Sequence, residues 1–573
     1  MRTRLLFPLC CLLAISGPGA PAAQGDAPAT TRIGAASNFS QGWSERTRQA
    51  VLKLNVARLR DSIRWAEVER SPGSYTFDTP RTSWPVRLAG VPVQITLTLN
   101  WGNPLYDNGK TPHSPRALAA FGRFAAAVVQ RFPQVDTLEI GNEVNGGNFV
   151  NGPVKTAGLS RRGRYHLAMV RAAADAVEAV RPDVTVIGGS THSLPAGFLW
   201  PLLELPGASA VKGLALHPYT TPIDQLPEQI GFLRRQVRAA RLPLYITEFG
   251  SQKAQRAADD LVRGYATLAA LGVAEMDWYP LNERGDGMIP LIGRDGRRTG
   301  AGKAFRLAQS WLAEWPVRNA SPDPFTFVYV FGANTAVVWG APRALSVDAT
   351  VKAFDATGTR LSPDDLALRE DRALILRGPG LLGTGMFGSD KPFRFGCTPL
   401  IADSFYQFGY PLAGKGQAQG DPFTRSLRLD GHDIPFEVMP GQQRRSVPWT
   451  PYLGRPDMIN LRLMADSMLP DFGARDGAIV HRYAASKDRR LHLIATFATS
   501  ARSTDGISVI VMRDGRNLTA QAGTSALRID RHLVMRKGQT LTVAVSPRST
   551  PRGDTTRYRI RLFDEEKCRD TSH

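Results

Sequence analysis

Leu138-Glu139-Ile140-Gly141-Asn142-Glu143-Val144-Asn145 is the stretch on which the reading of this chain turns. It opens with alternating apolar residues, as a strand entering a core does, and ends in Gly, Asn and Glu, which favour an exposed tip. A carboxyl group at the end of a buried strand costs solvation and adds little to packing. Its presence there points to chemistry. Pro243-Leu244-Tyr245-Ile246-Thr247-Glu248-Phe249-Gly250 has the same form, an apolar strand ending in Glu. Two carboxyls on two strand ends imply a pair working across one pocket.

Outward from these two stretches, strand patterns recur at 32–35, 56–60, 91–100, 135–143, 184–190, 213–219, 243–250 and 275–281. Helical patterns fall between several of them, at 47–53, 114–131, 161–181, 225–240 and 257–271. Ser114-Pro115 is a cap followed by proline at the first helical position. Strands alternating with helices indicate parallel pairing through crossover helices, and eight such units fit an α/β fold, the (β/α)₈ barrel. A doubly wound open sheet is the alternative. It calls for a glycine-rich phosphate turn after the first strand, and Gly34-Ala35-Ala36-Ser37-Asn38 is not one.

At 573 residues the chain is too long for one core. The expected divisions are a signal peptide at 1–23, a barrel at 30–320, a small β-sandwich at 324–385 and a C-terminal β-sandwich or jelly-roll module at 386–573. In the last part, strands are expected at 490–497, 506–512, 525–534, 540–547 and 557–564, while 410–460, rich in Gly, Pro and Arg, resists placement. The signal reading rests on Arg2 and Arg4, the apolar run 5–15 and the small residues around Ala20-Pro21-Ala22. It implies a secreted or periplasmic protein. No other stretch is long and apolar enough to suggest a membrane span.

The net charge of +20 comes from arginine, 59 residues of it against 12 lysines. That excess fits a high-arginine composition in general, or affinity for an acidic polymer such as an anionic polysaccharide. The arginines are scattered without a basic run, which argues against nucleic acid. Outside the leader the cysteines are Cys397 and Cys568, and one pair in an oxidising compartment suggests a disulfide between the ends of the C-terminal module. No Cys/His cluster has metal-ligand spacing, so neither a metal nor another cofactor is expected.

In a (β/α)₈ barrel the active site lies at the C-terminal ends of the strands. Those ends supply Arg60, Asn100, Trp101, Asn142, Glu143, His217, Tyr219, Glu248, Trp278 and Tyr279. Two carboxyls, a cation, amide and hydroxyl groups and aromatic faces suit a sugar ring, and two carboxyls can break a glycosidic bond. The expected catalytic pair is Glu143 and Glu248. Expected substrate-binding residues are Arg60, Asn100, Trp101, Asn142, His217, Tyr219 and Trp278. A loop-shaping role for His217, a core position for Trp278 and a purely ionic one for Arg60 stand beside these readings. Glu139, of the same strand parity as Glu143, is a buried rival for the acid, and Glu283 a second rival. Trp43, Trp84 and Tyr106 are candidates for outer sugar subsites.

Ile140-Gly141-Asn142-Glu143 and Ile246-Thr247-Glu248-Phe249-Gly250 together resemble glycoside hydrolase clan A. The run 60–69, with Gly73-Ser74-Tyr75-Thr76-Phe77-Asp78, is similar to the second-strand region of the xylosidase-like and exopolysaccharide-hydrolase members near family 39. The resemblance spans roughly 32–340. It implies a retaining glycosidase acting on a poly- or oligosaccharide, with Glu143 as acid/base and Glu248 as nucleophile. It further implies that Asn142 binds the sugar 2-hydroxyl and that Arg60 and Tyr219 hold Glu248 ionised and oriented. A dry pocket would raise the pKa of Glu143. A transglycosylase remodelling an exported polysaccharide, and a binding protein on a glycosidase scaffold, are the competing functions.

Overall fold

The computed structural model describes residues 30–363, 366–381 and 391–569. The leader at 1–23 lies outside the described residues, as does the expected boundary between the two β regions near 385. Eight parallel strands close into a barrel: β1 (Arg32–Ala36), β2 (Arg58–Ser62), β3 (Gln94–Leu99), β4 (Val135–Ile140), β5 (Thr185–His192), β6 (Leu214–His217), β7 (Leu244–Phe249) and β8 (Glu275–Trp278). Each strand pairs with its sequence neighbours, and β1 closes the ring by pairing with β8. All eight expected strands are present, and the fold is the expected (β/α)₈ barrel.

The local chemistry follows the sequence closely. Ser114 caps the helix Pro115–Arg131 by accepting from the Ala117 amide at 3.2 Å, with Pro115 at the first position. That helix buries Phe121, Phe124, Ala125 and Val128 on one face, against the barrel wall. The single helix expected at 225–240 is broken into Leu226–Leu233 and Val237–Arg241. The break falls at Gln236, which is extended and whose side chain accepts from the Ala239 amide at 2.8 Å, capping the second piece.

Beyond the barrel the chain is all β. A five-stranded antiparallel sheet and a three-stranded one make up the small sandwich, which takes in Val317–Asn319 and Phe393–Phe395 outside the expected 324–385, and sheets of eight and six strands follow. The expected C-terminal strands are present as Arg489–Thr499, Ile507–Arg513, Leu527–Met535, Thr540–Pro547 and Thr556–Asp564. The small sandwich is fastened to the barrel through a buried polar contact. Arg263 reaches Asp224 at 2.7 Å, Trp339 Nε1 donates to the same carboxylate at 2.8 Å, and the guanidinium lies over the Trp339 ring. No described helix is long and apolar enough to cross a membrane.

Cys397 and Cys568 are joined, with Cα atoms 5.7 Å apart at a sequence separation of 171. Such a loop restricts the unfolded chain by up to about 5 kcal/mol in the chain-entropy model. The barrel has no cysteine. Reduction is therefore expected to lower the unfolding temperature of the C-terminal module while the barrel transition stays in place. Calorimetry with and without reductant checks this, and superimposable traces would contradict it.

Candidate active site

The site is built where β4 ends. Ile140 is buried, and the chain then turns sharply at Gly141, whose φ is +82°. A side chain there would be strained, and its Cβ would lie 2.5 Å from Val144 Cγ1. Glu143 itself has φ +40°, an uncommon conformation for a residue with a side chain. The Val144 amide donates to the Ser190 carbonyl at 3.0 Å and Arg162 Nη1 donates to the Gly146 carbonyl at 2.6 Å, which fix the turn. The turn ends the strand three residues before its expected end and lifts Glu143 into the barrel mouth.

Two imidazoles meet Glu143 at a single oxygen. His192 Nδ1 lies 2.9 Å from Oε1, and His217 Nδ1 lies 3.3 Å from it. Across the mouth, Glu248 at the end of β7 accepts from Arg60 Nη1 at 2.6 Å and from the Tyr219 hydroxyl at 2.9 Å. His217 sits between the two carboxylates, with Nδ1 3.7 Å from Glu248 Oε2. One oxygen each from Glu143 and Glu248 and a nitrogen of His217 lie within 4.8 Å of one another.

Under this pair lies a buried charged floor. Arg60 Nε donates to Glu139 at 2.7 Å and Nη2 donates to Asn142 Oδ1 at 2.8 Å. Thr98 and Thr247 also donate to Glu139, at 2.8 and 3.1 Å. Glu139 is fully buried and spends its oxygens on these donors, so it has no path to a substrate. Burial opposes its charge, but the facing Arg60, which also donates to it, and the nearby His217 win and hold its pKa to about 2. Burial likewise opposes charge on Arg60, and the surrounding carboxylates keep it protonated.

The electrostatics of Glu143 differ from the sequence expectation. Burial does push its pKa up, but hydrogen bonds from His192 and His217 and the charge on His217 outweigh it and bring it to about 2. For His217, burial disfavours the cation, yet Glu248 opposite, Glu139 at 3.7 Å and the hydrogen bond to Glu143 raise its pKa to about 9. The dry pocket expected to raise Glu143 is overridden by two imidazoles that the strand-end reading did not place on it. These opposite shifts favour a protonated His217 beside an ionised Glu143.

The other expected residues divide clearly. Arg60, His217 and Tyr219 converge on the carboxylates as described, and Asn142 is tied to them through Arg60. Asn100 accepts from the Asn142 amide at 3.1 Å and donates to the Phe149 carbonyl at 3.2 Å, so it props the turn that carries Glu143. Trp101 lines a small adjacent cavity with Arg64 over its ring at 5.4 Å. Trp278 is a correction. It has no exposed surface, and its Nε1 donates to the Ile289 carbonyl at 3.0 Å. It faces the apolar shell beside Phe249, so it offers no platform for a sugar. Tyr279, one residue on, lines the open cleft instead. Trp84 and Tyr106 are also buried, Trp84 against Phe39 and Tyr106 against Trp65, and neither builds an outer subsite. Trp43 is stacked on Phe39, and Glu283 faces Arg294 at 3.7 Å.

His192 is the residue the sequence reading missed. It lies two residues past the expected end of the fifth strand, because β5 continues through an irregular stretch with positive φ at Gly189 and Ser190. The cleft beside Glu248 has a volume of about 1540 Å³ and runs from Tyr219 and Tyr279 to Arg343 and Arg369 of the small sandwich.

Among the described residues, a second group with ligand-type atoms within 4.8 Å is His492, Asp530 and His532 in the C-terminal module. The two imidazoles stack across paired strands at 4.2 Å, an approach that spacing along the chain does not reveal.

No protein-family model matches the chain, and no curated protein does. Among solved structures it is similar to a family 39 glycoside hydrolase from the gut symbiont Bacteroides cellulosilyticus WH2. The identity is 17% over 61% of this chain and 81% of that one, with a TM-score of 0.50. It is also similar to a family 30 endoxylanase from Clostridium papyrosolvens C71, at 13% identity over 62% and 98%, TM-score 0.46. A family 39 β-xylosidase from Caulobacter crescentus matches at 14% identity over 62% and 98%, TM-score 0.44. At such identities the likeness is one of fold.

Proposed function

We propose that the chain is an exported retaining β-glycosidase acting on a poly- or oligosaccharide. The observation that carries this reading is the close approach of Glu143 and Glu248, with oxygens within 4.8 Å across the barrel mouth. Retaining enzymes hold their carboxyl groups about 5–5.5 Å apart, and inverting ones about 6.5–9.5 Å apart to admit a water. The leader pattern and the Cys397–Cys568 bond support export.

Glu248 is the nucleophile. Arg60 and Tyr219 anchor one hydrogen bond on each of its oxygens and aim the carboxylate at the anomeric carbon. Burial and the neighbouring Glu248 keep the Tyr219 hydroxyl protonated, so it serves as a donor. Attack forms the glycosyl–Glu248 ester as the bond to the leaving oxygen breaks and Glu143 delivers a proton to that oxygen. In the second half, Glu143 removes a proton from water, water attacks the anomeric carbon, and the ester bond to Glu248 breaks. Asn142, tied to Arg60, binds the 2-hydroxyl of the reacting sugar in this reading.

Stereochemistry tests the proposal. Proton NMR of a β-glycoside digestion is expected to show the β-anomer of the product first, with the α-anomer growing only by mutarotation. Initial release of the α-anomer would reject the retaining mechanism. Absence of turnover across β-glycosides and β-linked glycans would reject the glycosidase itself.

A further inference from the structure

The stretch 439–450, from the C-terminal module, crosses back to the barrel mouth. The Gly197 amide donates to the carbonyls of Pro440 and Gly441, each at 3.1 Å. A Cβ on Gly197 would lie 2.4 Å from the Gly441 carbonyl oxygen, so the contact requires glycine there. The buried Gln442 side chain accepts from Asn145 Nδ2 at 2.6 Å and donates to the Asn145 carbonyl at 3.2 Å. Asn145 in turn holds both the amide and the carbonyl of His192, at 2.9 and 3.0 Å. The crossing segment is thus latched to the turn that carries Glu143.

The latch delivers one aromatic residue. Trp449 packs edge to face on His192, with ring centroids 4.9 Å apart at 83°. His192 is the imidazole bonded to Glu143. The far end of the indole passes close to Gly146, where a Cβ would lie 3.8 Å from Cη2. Its surroundings cover only part of the ring, and 36% of Trp449 remains exposed. Large apolar rings left open beside a catalytic carboxylate are unusual unless something covers them in use.

We infer that Trp449 is the stacking wall for the leaving-group sugar, so that the C-terminal module completes the active site. The inference rests on the glycosidase reading above. The acid must face the glycosidic oxygen, and the sugar beyond that oxygen therefore lies on Glu143's side of the mouth, where Trp449 stands. An indole offers that ring a flat apolar face for its C–H groups, while its rim position leaves the sugar hydroxyls in water.

Leaving-group size tests this. A β-glycosyl fluoride has no ring to place beyond the scissile bond, whereas a β-linked trisaccharide of the same sugar does. Wild type, Trp449→Ala and Trp449→Phe are compared on both. For Trp449→Ala, kcat/KM on the trisaccharide is expected to fall about tenfold, chiefly through KM, as for lost binding contacts. On the fluoride the loss should stay within about threefold, and Trp449→Phe should recover most of the trisaccharide activity, since a flat ring remains. Equal losses on both substrates would mean that Trp449 only braces His192, and an unchanged trisaccharide KM would leave it no part in binding; either overturns the inference alone. A wild-type protein inert on the fluorides and on β-glycans would overturn the glycosidase reading and this one with it.

Discussion

Glu248→Gln is expected to lose on the order of 10⁴-fold or more in kcat, the scale seen when a covalent nucleophile is removed. The amide cannot form the glycosyl ester, while its shape lets Arg60 keep donating to an oxygen at the same position. Tyr219 loses its charged acceptor, but its hydroxyl oxygen can accept from the amide NH2 that takes the place of Oε2. Arg60 retains Glu139, so no buried cation is stranded and the fold should survive. Circular dichroism matching wild type, together with the kinetic loss, is the expected pair of results. Glu248→Ala extends the test, because it opens room for azide. Azide attacking in place of Glu248 would yield the α-glycosyl azide. In Glu143→Ala it would instead intercept the glycosyl ester and yield the β-azide. A Glu248→Gln enzyme within tenfold of wild type, or a β-azide from Glu248→Ala, would remove Glu248 from the nucleophile's place.

The placement of this carboxylate was readable because strand parity and strand ends leave strong marks in sequence. Apolar alternation located all eight barrel strands, and the turn residues after 140 and 249 located both carboxylates. Glu139 is legible as inward-facing because it shares its parity with Glu143, and it is fully buried. What was not legible concerns neighbours that come from other elements. His192 was missed because β5 runs two residues beyond its apolar pattern through residues with positive φ, which no alternation records. That omission also reversed the expected pKa of Glu143, since the carboxyl environment is set by His192 and His217 more than by dryness. A histidine just past a strand end was the available signal. Trp278, Trp84 and Tyr106 failed in the opposite sense. An aromatic at a loop or strand end reads the same whether its ring turns outward or inward, and tertiary packing took these three inward. Trp449 lay in a Gly-, Pro- and Arg-rich stretch without periodicity, and only the return of that stretch across the barrel gives it meaning.

The shared proton of Glu143 and His217 leads to the second large effect. With His217 at about 9 and Glu143 at about 2, the free enzyme at neutral pH holds an imidazolium against a carboxylate. As an imidazolium, His217 has a hydrogen-bond partner at each nitrogen: Glu143 at Nδ1 and, at Nε2, the Thr247 hydroxyl 3.0 Å away. Moving the Nδ1 proton to Glu143 keeps both contacts, with Nδ1 becoming an acceptor. In the proposed mechanism Glu143 can therefore draw from His217 the proton it gives to the leaving oxygen. The pair stays loaded until pH passes the upper of its two pKa values, so kcat/KM on a glycan should have its basic limb near pH 9, well above the carboxyl range of about 4.3. Glu143→Gln should lose about 10²–10⁴-fold on such a substrate, the usual contribution of a positioned acid, and much less on a glycosyl fluoride. His217→Asn should keep a hydrogen-bonding side chain but remove the proton store, and the limb should move down by several pH units. Stability must be followed alongside. A raised histidine pKa stabilises the fold fully below its unfolded value of about 6.5, and that stability is lost as pH rises through about 9. Circular dichroism to pH 10 separates unfolding from loss of the proton. A wild-type limb already at pH 5, or one that His217→Asn leaves in place, would show that Glu143 carries its own proton and that His217 only orients it.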